Sequence, residues 1–293
     1  TAPTQPFPTW PEPVDGIVTN GLTEEFVIDY TPELKEQAMV ILNGYRVGGL
    51  YVPALPQGHE NDYINNIGCI GGGNVIPHPP VGDPSTGLMF ASHARNCFAP
   101  GFMRPTNGVD RDNPNYPIPG QGGVTPNSTP TTGKTVAAWL PGGGGGLPTI
   151  DGLRVFKPVD NQLTAYQMNS GEKAWSMALG PTPDSIKNHP LLEGVDVPDT
   201  GGVGWSIQMV MADLLVQTRA LSEGGVQQIP DAPLALNARD KFTGEIVGSV
   251  PLPAPGQYGM MTYLHQGKQY IVVQIGSSRT DFPAALVAYR LPD

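Results

Sequence analysis

The sequence predicts an all-β fold assembled from repeated four-stranded sheets, and three observations carry that expectation. First, Ala165-Tyr-Gln-Met-Asn-Ser-Gly171-Glu-Lys-Ala-Trp175 and Ala238-Arg-Asp240-Lys-Phe-Thr243-Gly244-Glu-Ile-Val-Gly248 are variations on one hairpin. Each places two alternating strands around a short turn. A hydroxyl residue there can bond local backbone, and a following glycine is free to take positive φ. Second, from Leu153 onward β-branched runs such as Ile271-Val-Val273 return at regular spacing, as in sheets repeated with a large insertion between copies. Third, 38 glycines and 33 prolines sit beside 39% hydrophobic residues, a balance that favours short strands joined by long ordered loops over disorder.

Taken in order, the chain has three parts. Residues 1 to about 66 form a Pro-rich lead-in with one helix, running from Thr31-Pro32-Glu33-Leu34 through Leu42. Thr31 can cap it, Pro32 suits its first turn, and Leu34, Met39, Ile41 and Leu42 supply apolar positions. Residues 67 to 150 are dominated by turn chemistry, including Asn107-Gly108, Asn113-Pro114 and Pro141 followed by Gly142 to Gly146. The strands and both repeats follow from Leu153. The domain division expected is therefore a lead-in over 1–66, packed on repeated sheets over 67–293, with a Gly/Pro-rich loop insertion at about 100–152.

Charge and motif spacing exclude several functions. A net charge of −10 with 14% charged residues gives no basic footprint for nucleic acid. No apolar run approaches the roughly 18–20 residues of a membrane helix. The glycine run at 142–146 is closed by no Gly-Lys-Ser/Thr and is flanked by prolines, so it reads as a loop with room for a lid role at a substrate entrance. His59, His78, His93, His189 and His265 show no HExxH or i, i+4 pairing. Gly204-Trp205-Ser206-Ile207-Gln208 lacks the second glycine of a nucleophile elbow, which leaves a hydrolase reading little to rest on.

The two hairpins resemble the tryptophan-docking motif of the quinoprotein alcohol and sugar dehydrogenases. Other segments resemble the membrane-type glucose dehydrogenase group in the same order along the chain. These are Pro3-Thr-Gln-Pro-Phe-Pro8, Tyr30-Thr-Pro-Glu-Leu34, Tyr45-Arg-Val-Gly-Gly-Leu-Tyr51-Val-Pro53, Gly71-Gly-Gly-Asn74, Asp83-Pro84-Ser-Thr-Gly87, Asn188-His189-Pro190 and the final stretch from Met261-Thr-Tyr263 to Ala288-Tyr-Arg-Leu-Pro-Asp293. The resemblance implies part of an eight-bladed β-propeller with tryptophan-docking motifs and long loops. It implies pyrroloquinoline quinone (PQQ) with calcium as cofactors, bound mainly by an N-terminal part outside this chain. That part carries the family's catalytic aspartate, so no catalytic residue is assigned here, and the chain resembles a C-terminal portion or subunit. TAPTQPFP lacks the basic start and apolar core of a signal peptide.

The cofactor-contacting candidates implied by the resemblance are Ser92, Asn74 and Arg95. Ser92 aligns with a quinone-contacting asparagine of the glucose dehydrogenase group; being shorter, it would lose that contact or make it through water. A strand-end serine bonding its own backbone is the alternative. His93, Arg95 and Asn96 follow directly, and Arg95 suits a quinone carboxylate. The family's tryptophan after Gly-Gly-x-Asn is replaced, Asn74 being followed by Val75. Trp175 is assigned a structural role, its indole lying flat between blades over the small Ala165, while Gly248 stands at the same place in the second copy. Cys69 and Cys97 leave two readings open, a disulfide closing a loop-rich segment or two separate buried thiols; the periplasmic setting implied by the resemblance favours the bond.

The expected function is oxidation of an alcohol or sugar by PQQ, with a base on the N-terminal quinoprotein partner and electrons passing to a quinone or cytochrome c. The expected setting is periplasmic, with any membrane attachment made through a partner. Two other classes stay open: a propeller-like binding or scaffold subunit that has lost the quinone, and a carbohydrate-binding β-domain using Trp10, Trp139 and Trp205.

Overall fold

The structure, a computed structural model, describes residues 23–47, 65–67, 79–93, 102–103, 140–141, 147–157, 161–202, 206–219, 234–276 and 283–290. Helix α1 (Pro32–Leu42) begins where its sequence directs. Thr31 Oγ1 accepts from the Leu34 amide at 3.2 Å, and Pro32 occupies the first turn, where a missing N–H costs nothing. Its buried face is Leu34, Ala38 and Leu42, whereas Met39 and Ile41 are only partly buried. That face packs on Val27, Ile28, Ile150, Leu153, Val155, Phe156 and Leu192, forming a core of its own.

Strands β1 (Tyr45–Arg46) and β2 (Asn65–Asn66) pair in parallel. Next come β3 (Val81–Asp83) and β4 (Leu88–His93), an antiparallel hairpin, then the short antiparallel pairs β5 (Phe102–Met103) with β6 (Leu140–Pro141) and β7 (Thr149–Ile150) with β8 (Leu153–Arg154). The remaining strands are β9 (Gln162–Gln167), β10 (Lys173–Ala178), β11 (Ser206–Val210), β12 (Leu214–Arg219), β13 (Ala235–Asp240), β14 (Ile246–Pro251), β15 (Gly256–His265), β16 (Lys268–Ile275) and β17 (Ala285–Arg290). A short helix, α2 (Asp184–Lys187), lies between β10 and β11.

Three antiparallel sheets dominate. The first has the order β3-β4-β9-β10, the second β11-β12-β13-β14, and the third, three-stranded among the described residues, β15-β16-β17. Each sheet is a meander, so local hairpin chemistry sets its order; the first is interrupted between β4 and β9 by the long segment that turn residues mark in the sequence. Strand β11 packs against both β3 and β15, which sets the leading strands of the three sheets side by side. Leu88, Phe90, Leu163, Ala165 and Leu215 fill the space between the first two sheets. Ile207, Val216, Leu236, Val273 and Ile275 fill that between the second and third.

The two repeats are superimposable in register. Ala165 pairs with Trp175, and Ala238 pairs with Gly248. In both turns the glycine amide reaches back four residues, Gly171 to Gln167 O at 2.7 Å and Gly244 to Asp240 O at 2.9 Å, with φ of 75° and 77°. Asp83-Pro-Ser-Thr-Gly87 makes a third such turn, its glycine amide 2.9 Å from Asp83 O and its φ 69°. The hydroxyls act locally: Ser170 Oγ and Thr243 Oγ1 each accept at 3.3 Å from the backbone amide two residues ahead.

Candidate functional site

The junction of the first and second sheets holds a concentration of buried polar side chains. Asp83 closes β3 and is shaped by its own turn. Its Oδ1 accepts from the Ser85 amide at 3.0 Å and the Ser85 hydroxyl at 2.7 Å, and its Oδ2 accepts from Thr86 Oγ1 at 2.8 Å. From the second sheet, Lys241 enters the same carboxylate, Nζ to Oδ2 at 2.5 Å, with both side chains buried. The ammonium also donates to Ala212 O at 2.6 Å and Met211 O at 3.3 Å. The Lys241 ammonium first, then the Ser85 and Thr86 hydroxyls, hold the Asp83 carboxyl well below the usual carboxylate range.

Lys241 joins the two sheets a second time through its backbone. Trp175 Nε1 donates to Lys241 O at 3.0 Å, and a Cβ added at Gly244 would stand 3.0 Å from the indole Cζ3. The indole therefore lies against bare glycine backbone of the second sheet and against Phe90 of the first, with ring centroids 5.9 Å apart. Trp175 is half-buried rather than fully enclosed, because β10 is the last strand of its sheet. Beneath it the buried Arg239 gives Nη1 to Gly244 O at 2.7 Å and to Met177 S at 3.3 Å, and Nε to Gln217 Oε1 at 3.1 Å. Burial pushes the Arg239 pKa down from its ordinary value.

Ser92 lies toward the other end of this junction. It is 2% exposed, and its Oγ accepts from the Ser206 amide at 3.3 Å, tying β4 to β11. The neighbouring His93 Nε2 bonds Thr164 Oγ1 at 2.9 Å, and Thr164 Oγ1 in turn bonds Ser176 Oγ at 2.8 Å. Ser206 Oγ and Gln208 Oε1 are buried without a hydrogen-bond partner, although Gln208 Nε2 reaches Phe90 O at 3.4 Å. Such atoms can take an ordered water or a donor from outside. Asn74, Arg95, Asn96, Cys69, Cys97, the glycine run at 142–146 and Trp10, Trp139 and Trp205 lie outside the described residues. Among the described residues no group of three or more His, Cys, Asp or Glu is placed to hold a metal, and no helix is long and apolar enough to cross a membrane.

The family model described as PQQ: Glucose/ethanol/alcohol dehydrogenase, beta-propeller domain, matches residues 1–271. The chain belongs to this family. Among curated relatives, it is 29% identical over 196 residues to the glycerol dehydrogenase large subunit of Gluconobacter oxydans (strain 621H), covering 62% of this chain and 23% of that protein. It is 30% identical over 145 residues to quinoprotein glucose dehydrogenase A of Acinetobacter calcoaceticus, covering 48% of this chain and 16% of that protein. The chain thus spans less than a quarter of the length of these curated relatives. Among solved structures, the quinohemoprotein alcohol dehydrogenase of Comamonas testosteroni is similar at 16% identity and a TM-score of 0.37, over 73% of this chain and 25% of that one.

The fit of this PQQ-family chain to the quinone is limited at the described residues. The buried cations Arg239 and Lys241 are engaged by carbonyl, amide and carboxylate acceptors of the chain itself. Ser92 Oγ is turned to the second sheet. These residues alone form no cradle for a tricarboxylate.

Sequence reasoning missed Lys241, Arg239 and the ionic role of Asp83. The signal was present in outline: Asp83-Pro-Ser-Thr-Gly87 repeats the Asp-x-x-Thr-Gly of the second hairpin, and Lys241 is its variable position.

Proposed function

We propose that this chain acts as the C-terminal blades of a PQQ-dependent dehydrogenase that oxidises the hydroxyl of an alcohol or sugar. The match of the family model to residues 1–271 carries this reading. The completed enzyme is an eight-bladed propeller. In it the three sheets are consecutive blades, and Trp175, bonded to Lys241 O and laid against Gly244, is a tryptophan-docking contact between two of them.

In this reading PQQ with calcium supplies the two-electron acceptor for the hydroxyl-bearing carbon, and its ligands and the catalytic base lie mainly on the N-terminal part of the larger enzyme. Electrons leave to a quinone or cytochrome c, and the setting is periplasmic. Ser92, Asn74 and Arg95 would complete the quinone pocket from this side. The role of the chain's described residues is then to hold the wall of the channel rigid, through Asp83–Lys241, Arg239 and Trp175.

The third sheet supports incorporation into a larger ring. Its far face presents Met261, Tyr263 and Leu286, exposed to 56%, 40% and 74%, an apolar surface of the kind that marks an interface. Tyr263 and Tyr270 stack on that face with centroids 5.1 Å apart. Strand β17 has a neighbour on one side only among the described residues, and an open edge is a template for another strand.

A second reading, a scaffold that has lost the quinone, is favoured by the engaged Ser92 hydroxyl and by Val75 where the family has tryptophan. Purification of the native assembly separates the two. Quinone absorbance with bound calcium supports the dehydrogenase. Their absence from an assembly purified without chelator supports the scaffold.

A further inference from the structure

Gly248 stands to Ala238 as Trp175 stands to Ala165, in the same register of the same hairpin. Between the first and second sheets the indole covers the paired alanine, but over Ala238, between the second and third, no side chain of the described residues does so. A cavity of about 730 Å³ opens there instead, lined by Val216, Leu236, Ala238, Gly248, Ile271 and Tyr289 among others. That volume lies within the roughly 300–1,000 Å³ of small-molecule sites.

The lining chemistry narrows the occupant. Asn237 Oδ1 accepts from Ser249 Oγ at 2.8 Å, Gln269 Nε2 donates to Thr262 Oγ1 at 3.1 Å, and the Tyr289 hydroxyl donates to Pro251 O at 2.5 Å. These side chains are thus engaged within the chain; of the other lining residues only Asp213 and Arg290 carry charge, of opposite sign, and Val216, Leu236, Ala238, Gly248 and Ile271 are apolar. A flat ring can lie between two sheets as Trp175 does, and its π-face gains from pairing with an aromatic neighbour such as Tyr289 in a way that a saturated ring does not. We propose that this cavity binds a neutral planar aromatic molecule of about indole to naphthalene size, in the place that Trp175 fills at the preceding junction.

The test uses the chain in whatever assembly it purifies in, with indole as the probe and binding as the readout, so dehydrogenase activity does not enter. Indole should bind saturably and raise the melting temperature, with cyclohexanol at least tenfold weaker. Gly248→Trp should abolish the indole effect and by itself raise the melting temperature, since a Cβ at Gly248 meets nothing nearer than Ala238 Cβ at 4.0 Å. Gly248→Leu serves if the tryptophan variant fails to fold, and must weaken indole at least tenfold. Absence of saturable binding to the parent, undiminished binding to the filled variants, or equal binding of cyclohexanol would overturn the proposal.

Discussion

Trp175 and Lys241 meet across the boundary of the first two sheets: the indole N–H donates to the Lys241 carbonyl at 3.0 Å. Sixty-six positions separate them in the chain. Ring and N–H contribute separately, so two substitutions divide them. Trp175→Phe keeps most of the packing and should cost about 1 kcal/mol for the lost hydrogen bond. Trp175→Ala should cost about 3 kcal/mol, the low end for a large aromatic truncation because the side chain is half-buried. Denaturant unfolding measures both, and equal losses would assign the whole effect to the hydrogen bond.

Gly244 is constrained by its φ of 77° and by two side chains where a Cβ would stand, Met177 Cε closest and the Trp175 ring at 3.0 Å. Gly244→Ala should therefore destabilise the chain by about 1–2 kcal/mol from the backbone alone, with further loss from the displaced ring. Gly248→Ala, at the matching hairpin and with open space around it, should be close to neutral. Melting the two variants side by side checks the contrast; similar losses would show that neither the positive φ nor the side chains around Gly244 constrain that position.

The Asp83–Lys241 pair makes a pH prediction. Because the folded Asp83 carboxyl is held below its ordinary value of 3.8, its contribution to stability is fully present above that pH and is lost as pH falls toward the depressed folded value. Asp83→Asn should flatten that part of the acid limb, read from the unfolding midpoint between about pH 2 and pH 5. Lys241→Met leaves a buried carboxylate without its cation, and should be more damaging than Asp83→Leu with Lys241→Met together. An acid limb unchanged in Asp83→Asn would place the pH sensitivity elsewhere.

Local chemistry was legible in the sequence and distant chemistry was not. Thr31 and Pro32 announce α1 because capping acts within one turn, and Ser170-Gly171 and Thr243-Gly244 announce their hairpins because a positive φ and a hydroxyl bond are local events. The tryptophan was readable as a packing residue, but its acceptor was not. Lys241 and Asp83, 158 positions apart, become partners only when the sheets stack, which no spacing rule encodes. Ser92 was singled out by resemblance as a cofactor contact; it proves buried with its oxygen bonded to the Ser206 amide, a restraint set by the second sheet. Asn74 and Arg95 lie outside the described residues.

If these sheets are the proposed C-terminal blades of a quinoprotein dehydrogenase, they turn over only in the completed ring. Dye-linked oxidation of alcohols and sugars, with PQQ and calcium supplied, tests it most directly when the chain is expressed alone and together with the upstream region of a curated relative such as the glycerol dehydrogenase large subunit. The chain alone should aggregate or show no turnover, because its third sheet exposes Met261, Tyr263 and Leu286 and β17 is paired on one side only among the described residues, and co-expression should restore solubility with turnover. Turnover by a monomeric chain with no partner, or a well-folded co-expressed assembly that binds no PQQ, would contradict it.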